Sequence, residues 1–193
     1  MKSDIDQAVR VLNKGGIVIF PTDTAFGMGC RMDNAETVDR LFKVRKRPNS
    51  QPTLVLVDSI EMAQKYLKPV DDRIKKLIKK YWPGALTIVL PCLTNKVSKL
   101  IRGGGNTLGV RMPDHKIALS LVKGVGVPML GPSANFHGEK TPYKFEDLDP
   151  RLIEQVDYVV SGDTSFKKLP STVIDCSKKP WKIIRKGAVK LDL

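Results

Sequence analysis

Four short segments of the chain combine hydroxyl, amide and guanidinium groups in a way that suits a small polar or anionic ligand. The first is Phe20-Pro21-Thr22-Asp23-Thr24-Ala25-Phe26-Gly27-Met28-Gly29, where an apolar run meets a proline, a polar triplet and two glycines. The Thr22 and Thr24 hydroxyls can hold a polar ligand, and the glycines let backbone approach it closely. The same residues also suit a plain Asx or Ser/Thr turn around Asp23. The second segment is Arg45-Lys46-Arg47-Pro48. Guanidinium forks grip phosphate oxygens two at a time, which makes it a candidate triphosphate clamp. Basic side chains in a last helical turn equally complement the helix dipole. The third, Gly131-Pro132-Ser133-Ala134-Asn135, offers a hydroxyl and an amide to a phosphate or ribose, or forms a turn. The fourth, Leu108-Gly109-Val110-Arg111-Met112-Pro113, sets one arginine at a strand end, suited to a carboxylate or to a structural ion pair.

Other chemistries find no support. Gly103-Gly104-Gly105 lacks the following Lys-Ser/Thr of a P-loop and reads as a flexible turn. His115 and His137 are the only histidines, and with Cys30, Cys92 and Cys176 scattered they give no metal-ligand spacing; no metal site is expected. No Gly-x-Ser-x-Gly and no Cys/His pair points to a covalent hydrolase. Three separated cysteines without a CxxC pair favour a reducing cytoplasm over secretion. The N-terminus leads into no long apolar stretch, and runs such as Ile17–Phe20 and Leu86–Leu90 are strand-sized, so neither a signal peptide nor a membrane span is expected.

The elements that must position these groups alternate between two periods. Ile5, Ala8, Val9 and Leu12 recur at helical spacing, and Ile17–Phe20 reads as a buried strand after Gly15-Gly16. Residues 21–34 read as a loop, and Val38, Leu41 and Phe42 mark a helix closed by Pro48. Further strands are expected at 53–57, 85–90, 108–111, 128–131, 158–160, 172–175 and 182–185. Further helices are expected at 60–67, 73–81, 93–102, 117–123 and 148–156. A late run of strands without intervening helices argues for a mixed sheet in one α/β domain. The hydrophobic fraction of 41% is ample for a core at 193 residues. Net charge is +13, from 33 basic against 20 acidic residues, which attracts phosphates on nucleotides or RNA. The excess gathers at 40–47, at Arg73–Lys80, and around Lys167, Lys168, Lys178, Lys179, Lys182, Arg185 and Lys186. Lys75, Lys76, Lys79 and Lys80 fall on the polar face of an amphipathic helix and read as solvated.

Taken in order, Gly16–Gly29, Arg45-Lys46-Arg47-Pro48, Trp82-Pro-Gly-Ala-Leu-Thr87, Gly109-Val-Arg111-Met-Pro113, Pro132-Ser-Ala-Asn135, Pro170-Ser-Thr-Val-Ile-Asp175 and Ile184-Arg185-Lys-Gly187 resemble the YrdC/TsaC family of threonylcarbamoyl-AMP synthases. The resemblance implies one YrdC-like domain over 1–193, without the extra C-terminal domain of longer relatives. Its fold would be an open, twisted, mixed α/β sheet with flanking helices around a basic cavity. It further implies a cytoplasmic nucleotidyltransferase that joins L-threonine, bicarbonate and ATP into threonylcarbamoyl-AMP and releases pyrophosphate, with Mg²⁺ carried on the ATP. The product would pass to the tRNA-threonylcarbamoyl transferase complex, for t6A modification at position 37 of tRNA. By the same resemblance Arg45 and Arg47 are catalytic and Thr22, Thr24, Arg111 and Ser171 bind threonine. Arg47, Ser133, Asn135 and Arg185 hold the nucleotide.

Four positions depart from the family pattern. Arg45 stands at the usual lysine, with Lys46 beside it as an alternative ammonium, and Gln51-Pro52-Thr53-Leu54 replaces Asn-Pro-Leu. Phe26 replaces a tyrosine and His137 a serine. A divergent YciO-like branch shares the arginine and the Thr-Leu. It supports a second reading, a tRNA- or double-stranded-RNA-binding paralogue without full synthase activity. Aromatics are only 6% with no stacking motif, so such binding would read shape and phosphate and be salt-sensitive. A third reading, the carbamoyl-transfer domain of hydrogenase maturation, would come with zinc-finger and acylphosphatase-like parts that this sequence lacks.

Overall fold

The computed structural model describes residues 2–164 and 168–191; Lys167 of the basic run and the two ends of the expected 1–193 domain lie outside them. Helix α1 (Lys2–Asn13) buries Ala8 and Leu12 completely, and the chain then enters β1 (Val18–Pro21), whose four residues are all buried. A four-residue loop returns it as β2 (Phe26–Gly29), antiparallel to β1. Asn34 caps α2 (Ala35–Val44), its side-chain oxygen accepting the Thr37 N–H at 3.0 Å. There follow β3 (Leu54–Leu56), α3 (Ile60–Gln64) capped by Ser59, and α4 (Asp72–Tyr81) capped by Asp71. Then come β4 (Leu86–Pro91), β5 (Thr107–Arg111), α5 (Lys116–Val125) and β6 (Met129–Leu130). The chain ends with α6 (Pro150–Ile153), β7 (Tyr158–Val159), β8 (Thr172–Asp175) and β9 (Lys182–Arg185). α4 is amphipathic as its sequence demands, Ile74 and Ile78 buried and its lysines exposed.

The strands form two sheets, β2-β1-β7 and β6-β3-β5-β4-β8-β9, both with mixed parallel and antiparallel pairs. Backbone bonds from Met32 N–H to Pro128, Leu130 N–H to Cys30, Met28 N–H to Pro132 and Ala134 N–H to Phe26 join them. These bonds extend β2 alongside residues 128–134, so the two sheets continue into one open, curved surface. Gly29 permits the approach, since a Cβ there would lie 2.3 Å from the Leu130 carbonyl oxygen. One apolar cluster runs through both sheets, from Ala8 to Cys176. No helix of the described residues is long and apolar enough to cross a membrane.

Three elements differ from the sequence reading. Residues 26–29, expected in a loop, are the strand β2 that carries the junction. Residues 93–102, expected helical, form successive turns in which Val97 and Ile101 are nonetheless buried. There the Ser98 hydroxyl accepts the Leu100 N–H and the Arg102 guanidinium takes the Val97 carbonyl, so side chains compete for helical hydrogen bonds. The helix expected over 148–156 is reduced to α6, preceded by a 3₁₀ turn at Phe145–Asp147. It stops because Asp157 is drawn back to Ile17, whose N–H donates to Asp157 Oδ2 at 2.6 Å, feeding the chain into β7.

Candidate active site

Strand alternation builds the floor of a cleft. On β4, β5 and β8 the residues Leu86, Ile88, Leu90, Leu108, Val110 and Ile174 enter the core. Thr87, Val89, Thr107, Gly109, Arg111, Val173 and Asp175 point to the opposite, concave face. This face, the loop after β1, the end of α2 and residues 131–133 enclose a cavity of about 530 Å³. Gly109 is opposite Leu54 on one side and Val89 on the other, and a Cβ there would meet nothing closer than 3.5 Å. The floor is therefore open at its centre.

Eight of the nine expected site residues line this cavity: Thr22, Thr24, Arg45, Arg47, Arg111, Ser133, Ser171 and Arg185. The loop Thr22–Ala25 is a Ser/Thr turn. Thr22 Oγ1 donates to the Ala25 carbonyl at 2.7 Å and accepts the Thr24 and Ala25 N–H groups, each at 3.2 Å. The Thr24 hydroxyl then donates to Thr22 Oγ1 at 3.0 Å and accepts from Arg111 Nη1 at 2.9 Å. Arg111 is buried, with Nε on the Gly84 carbonyl at 3.1 Å and Nη2 paired with Asp23 Oδ1 at 2.5 Å. Both readings of these segments hold together: there is a turn and an ion pair, and both stand in the cleft wall.

The end of α2 is a Schellman turn, with Arg47 N–H on the Phe42 carbonyl and Lys46 N–H on that of Lys43. Lys46 occupies the left-handed position at φ 51°, where glycine is usual. The reversal sends Arg45 and Arg47 into the cleft, while the Lys46 ammonium sits 4.9 Å from the centre of the Phe136 ring. Lys46 therefore does not take the place of the family lysine. Arg45 donates from Nε to the Asn135 carbonyl at 3.0 Å and from Nη2 to Asn135 Oδ1 at 3.3 Å. Arg47 donates to the carbonyls of Gln51 and Pro52 and to Nδ1 of His137.

Asn135 is the exception among the expected residues. Its amide nitrogen is bound to the Phe136 and Glu139 carbonyls, and its oxygen takes Ser133 Oγ at 2.6 Å as well as Arg45. It is buried behind the cleft wall and positions Arg45 and Ser133 rather than lining the cavity. Ser171 bonds Thr87 Oγ1 at 2.9 Å, and Arg185 grips it from Nε and Nη2. Gly187 lets β9 pass this closely, because a Cβ there would lie 2.2 Å from the Pro170 oxygen. Thr87 was not singled out from the sequence; β4 alternation, which faces it away from Leu86 and Ile88, was the available signal.

Four arginines share the cleft, and Asp175 is the one carboxylate lining it among the described residues. Burial, then Arg47, pushes the Arg45 pKa down to about 10; burial also lowers Arg47. Burial, then Arg111, lowers Arg185. For Arg45, Arg47 and Arg185 the direction of the shift marks a desolvation cost of the charged form that a bound anion would offset. The cysteines are buried and unbridged, and burial raises Cys30 and Cys176 to about 12, so neither is a thiolate nucleophile. Among the described residues no three His, Cys, Asp or Glu side chains gather around a metal position.

These features define an α/β protein whose open sheet carries an arginine-lined cleft. The Sua5/YciO/YrdC family model, described as "Telomere recombination", matches residues 10–187, and the chain belongs to that family. A Bacillus subtilis (strain 168) protein named threonylcarbamoyl-AMP synthase is 33% identical over 185 residues, which are 96% of this chain and 54% of that protein. The crystal structure of Pyrococcus abyssi Sua5 complexed with L-threonine superposes with a TM-score of 0.88 at 32% identity, covering 95% of this chain and 54% of that one. Escherichia coli YciO matches with a TM-score of 0.88 at 28% identity, over 98% of this chain and 92% of its own. The chain thus spans about half the length of the Bacillus and Pyrococcus relatives and nearly all of YciO.

Proposed function

We propose that this chain condenses L-threonine, bicarbonate and ATP into threonylcarbamoyl-AMP and pyrophosphate. The observation that carries the reading is the gathering of the Thr24–Arg111 pair and the Arg45/Arg47 turn in one cleft. Arg111 has N–H groups left beyond its three intramolecular bonds, and they suit the threonine carboxylate. Thr24 Oγ1, its proton given to Thr22 and one lone pair taken by Arg111, can only accept from a ligand. The amine or hydroxyl of threonine supplies that donor. Arg45, Arg47 and Ser133 then face the phosphates, and Arg185 with Ser171 closes the pocket.

In this reaction bicarbonate takes up a proton and splits into CO2 and water. The threonine amine adds to the CO2 carbon and gives up a proton, leaving a carbamate. A carbamate oxygen attacks the α-phosphorus, and the bond to the β-phosphate oxygen breaks to release pyrophosphate. Mg²⁺ arrives as part of the ATP. Both reactants are anions and repel strongly away from water, so fixed guanidinium groups are needed to align them and to hold charge developing on phosphorus. No covalent enzyme intermediate is required. The product would be consumed in cytoplasm by the tRNA-threonylcarbamoyl transferase complex. The test is pyrophosphate release by the full chain with ATP, Mg²⁺, bicarbonate and threonine. Release that depends on threonine supports the synthase. None at saturating substrates, with salt-sensitive tRNA binding, would favour the YciO-like reading.

A further inference from the structure

Two polar atoms of residues in the cleft wall have no hydrogen-bond partner among the described residues: Nη1 of Arg45 and Oγ1 of Thr53. Both residues are almost wholly out of solvent, Arg45 at 3% exposure and Thr53 at 5%. Folded proteins seldom leave buried polar atoms unpaired, because each has lost its water without replacement. Neither atom belongs to a loose side chain. Arg45 is pinned to Asn135 through its other two nitrogens. Thr53 is β-branched, hence stiff at χ1, and its N–H is held by the Ile101 carbonyl at 3.0 Å.

The two residues belong to one end of the cleft because Arg47 ties them together. From the turn that carries Arg45, it donates to the carbonyls of Gln51 and Pro52, the two residues leading into Thr53. Nothing in the described chain completes this end, and its charge is positive. An oxygen ligand that accepts from a guanidinium N–H and engages a hydroxyl would satisfy both atoms.

We propose that Thr53 is a specificity-determining residue which, with Arg45, forms a receptor for an oxyanion of phosphate or carbonate type. Identifying that anion with a substrate rests on the synthase reading; the existence of the receptor does not. Nucleotide phosphates and bicarbonate share this chemistry and differ in size and charge, so separate titrations distinguish them.

The unpaired hydroxyl gives the test its sign. In the free protein it contributes no hydrogen bond, so Thr53→Val, which keeps the side-chain shape, removes a buried unmet polar atom. The free variant should melt at the wild-type temperature or above it, while binding of the anion weakens about tenfold, as expected for loss of one hydrogen bond to a charged group. Thr53→Ser, which keeps the hydroxyl, should bind within about twofold of wild type. A residue with a purely structural role would lose stability and would not separate these two readouts.

The measurement is thermal denaturation and titration calorimetry of the full chain with pyrophosphate and, separately, with bicarbonate. Weakened pyrophosphate binding assigns the receptor to phosphate, and weakened bicarbonate binding alone assigns it to the carbamate end. A Thr53→Val variant that melts lower before any anion is added, or that binds both anions as wild type does, overturns the proposal. So does a wild-type protein that binds neither. Pyrophosphate binding is read without turnover, so loss of the synthase reading would show as absent pyrophosphate release while this result stood.

Discussion

The Thr22–Ala25 loop and the Arg45–Arg47 turn line the same cleft and are built on opposite principles. In the loop, the Thr22 and Thr24 hydroxyls, Asp23 and the three Arg111 nitrogens all have partners inside the protein. In the turn, a buried arginine keeps one nitrogen unpaired beside a lysine forced to positive φ. The loop is a finished template that can receive a ligand without rearranging. The turn keeps a donor in reserve, so under the proposed function an anion bound there would gain contacts that the free protein does not make. Under the proposed reaction, only the part of that binding that strengthens as charge builds on the transferring phosphorus would raise the rate.

The sharpest way to break the contrast is to cut the loop's ion pair. Arg111→Leu leaves Asp23 without its cation, at 13% side-chain exposure, and should cost about 3 kcal/mol or more. Melting would fall by roughly 6–12 °C for a chain of this size. A melting temperature unchanged by the substitution would mean that the loop is not held as described. At the turn the balance reverses. Arg45→Met should leave the melting temperature nearly unchanged, because a buried, uncompensated charge goes with its hydrogen bonds. Turnover should nevertheless fall by about 10²- to 10³-fold, the size of losing one preorganised donor. Melting of the free protein and pyrophosphate release, measured together, decide it.

Smaller effects sharpen the picture. Lys46→Gly relieves left-handed strain of about 1 kcal/mol while giving up a cation–π contact of about half that. Melting should rise slightly and pyrophosphate release persist; abolished release would return Lys46 to the chemistry. The least effect is at His137, whose pKa is held below its ordinary value by partial desolvation and by Arg47 and Arg45. The folded state resists a proton that the unfolded state takes up, so stability falls as pH drops from the ordinary histidine range through the folded pKa. Bound pyrophosphate should move the His137 pKa upward in an NMR titration, since it offsets the arginine charge.

The sequence made much of this arrangement legible, and unevenly so. Long periodic elements such as α1, α2 and α4 and the β-rich runs were readable because burial of one face leaves a period behind. β2 was hidden because Phe26-Gly-Met-Gly29 has the composition of a loop. Its glycines serve close backbone approach at the junction, which only the tertiary structure reveals. Residues 93–102 misled in the other direction: Leu93, Val97, Leu100 and Ile101 keep helical spacing, but Ser98 and Arg102 divert the backbone bonds. At the site, each motif alone had a cheaper explanation, and it was their order that pointed to one pocket. The role of Asn135 as a support, the supporting threonine at 87 and the unmet hydroxyl of Thr53 depend on packing between segments far apart in sequence.

The hydrogen bonds that join β2 and the residues after it to residues 128–134 connect positions about a hundred residues apart, from Met32 and Pro128 to Phe26 and Ala134. Contacts of that span form slowly, because the intervening chain must first surrender its freedom. A chain that ends before them lacks Gly131, Ser133, Ser171 and Arg185, and with them a large part of the cleft's lining. The cleft therefore exists only where distant parts of the chain have met, and a ligand that binds it would report closure of the whole domain.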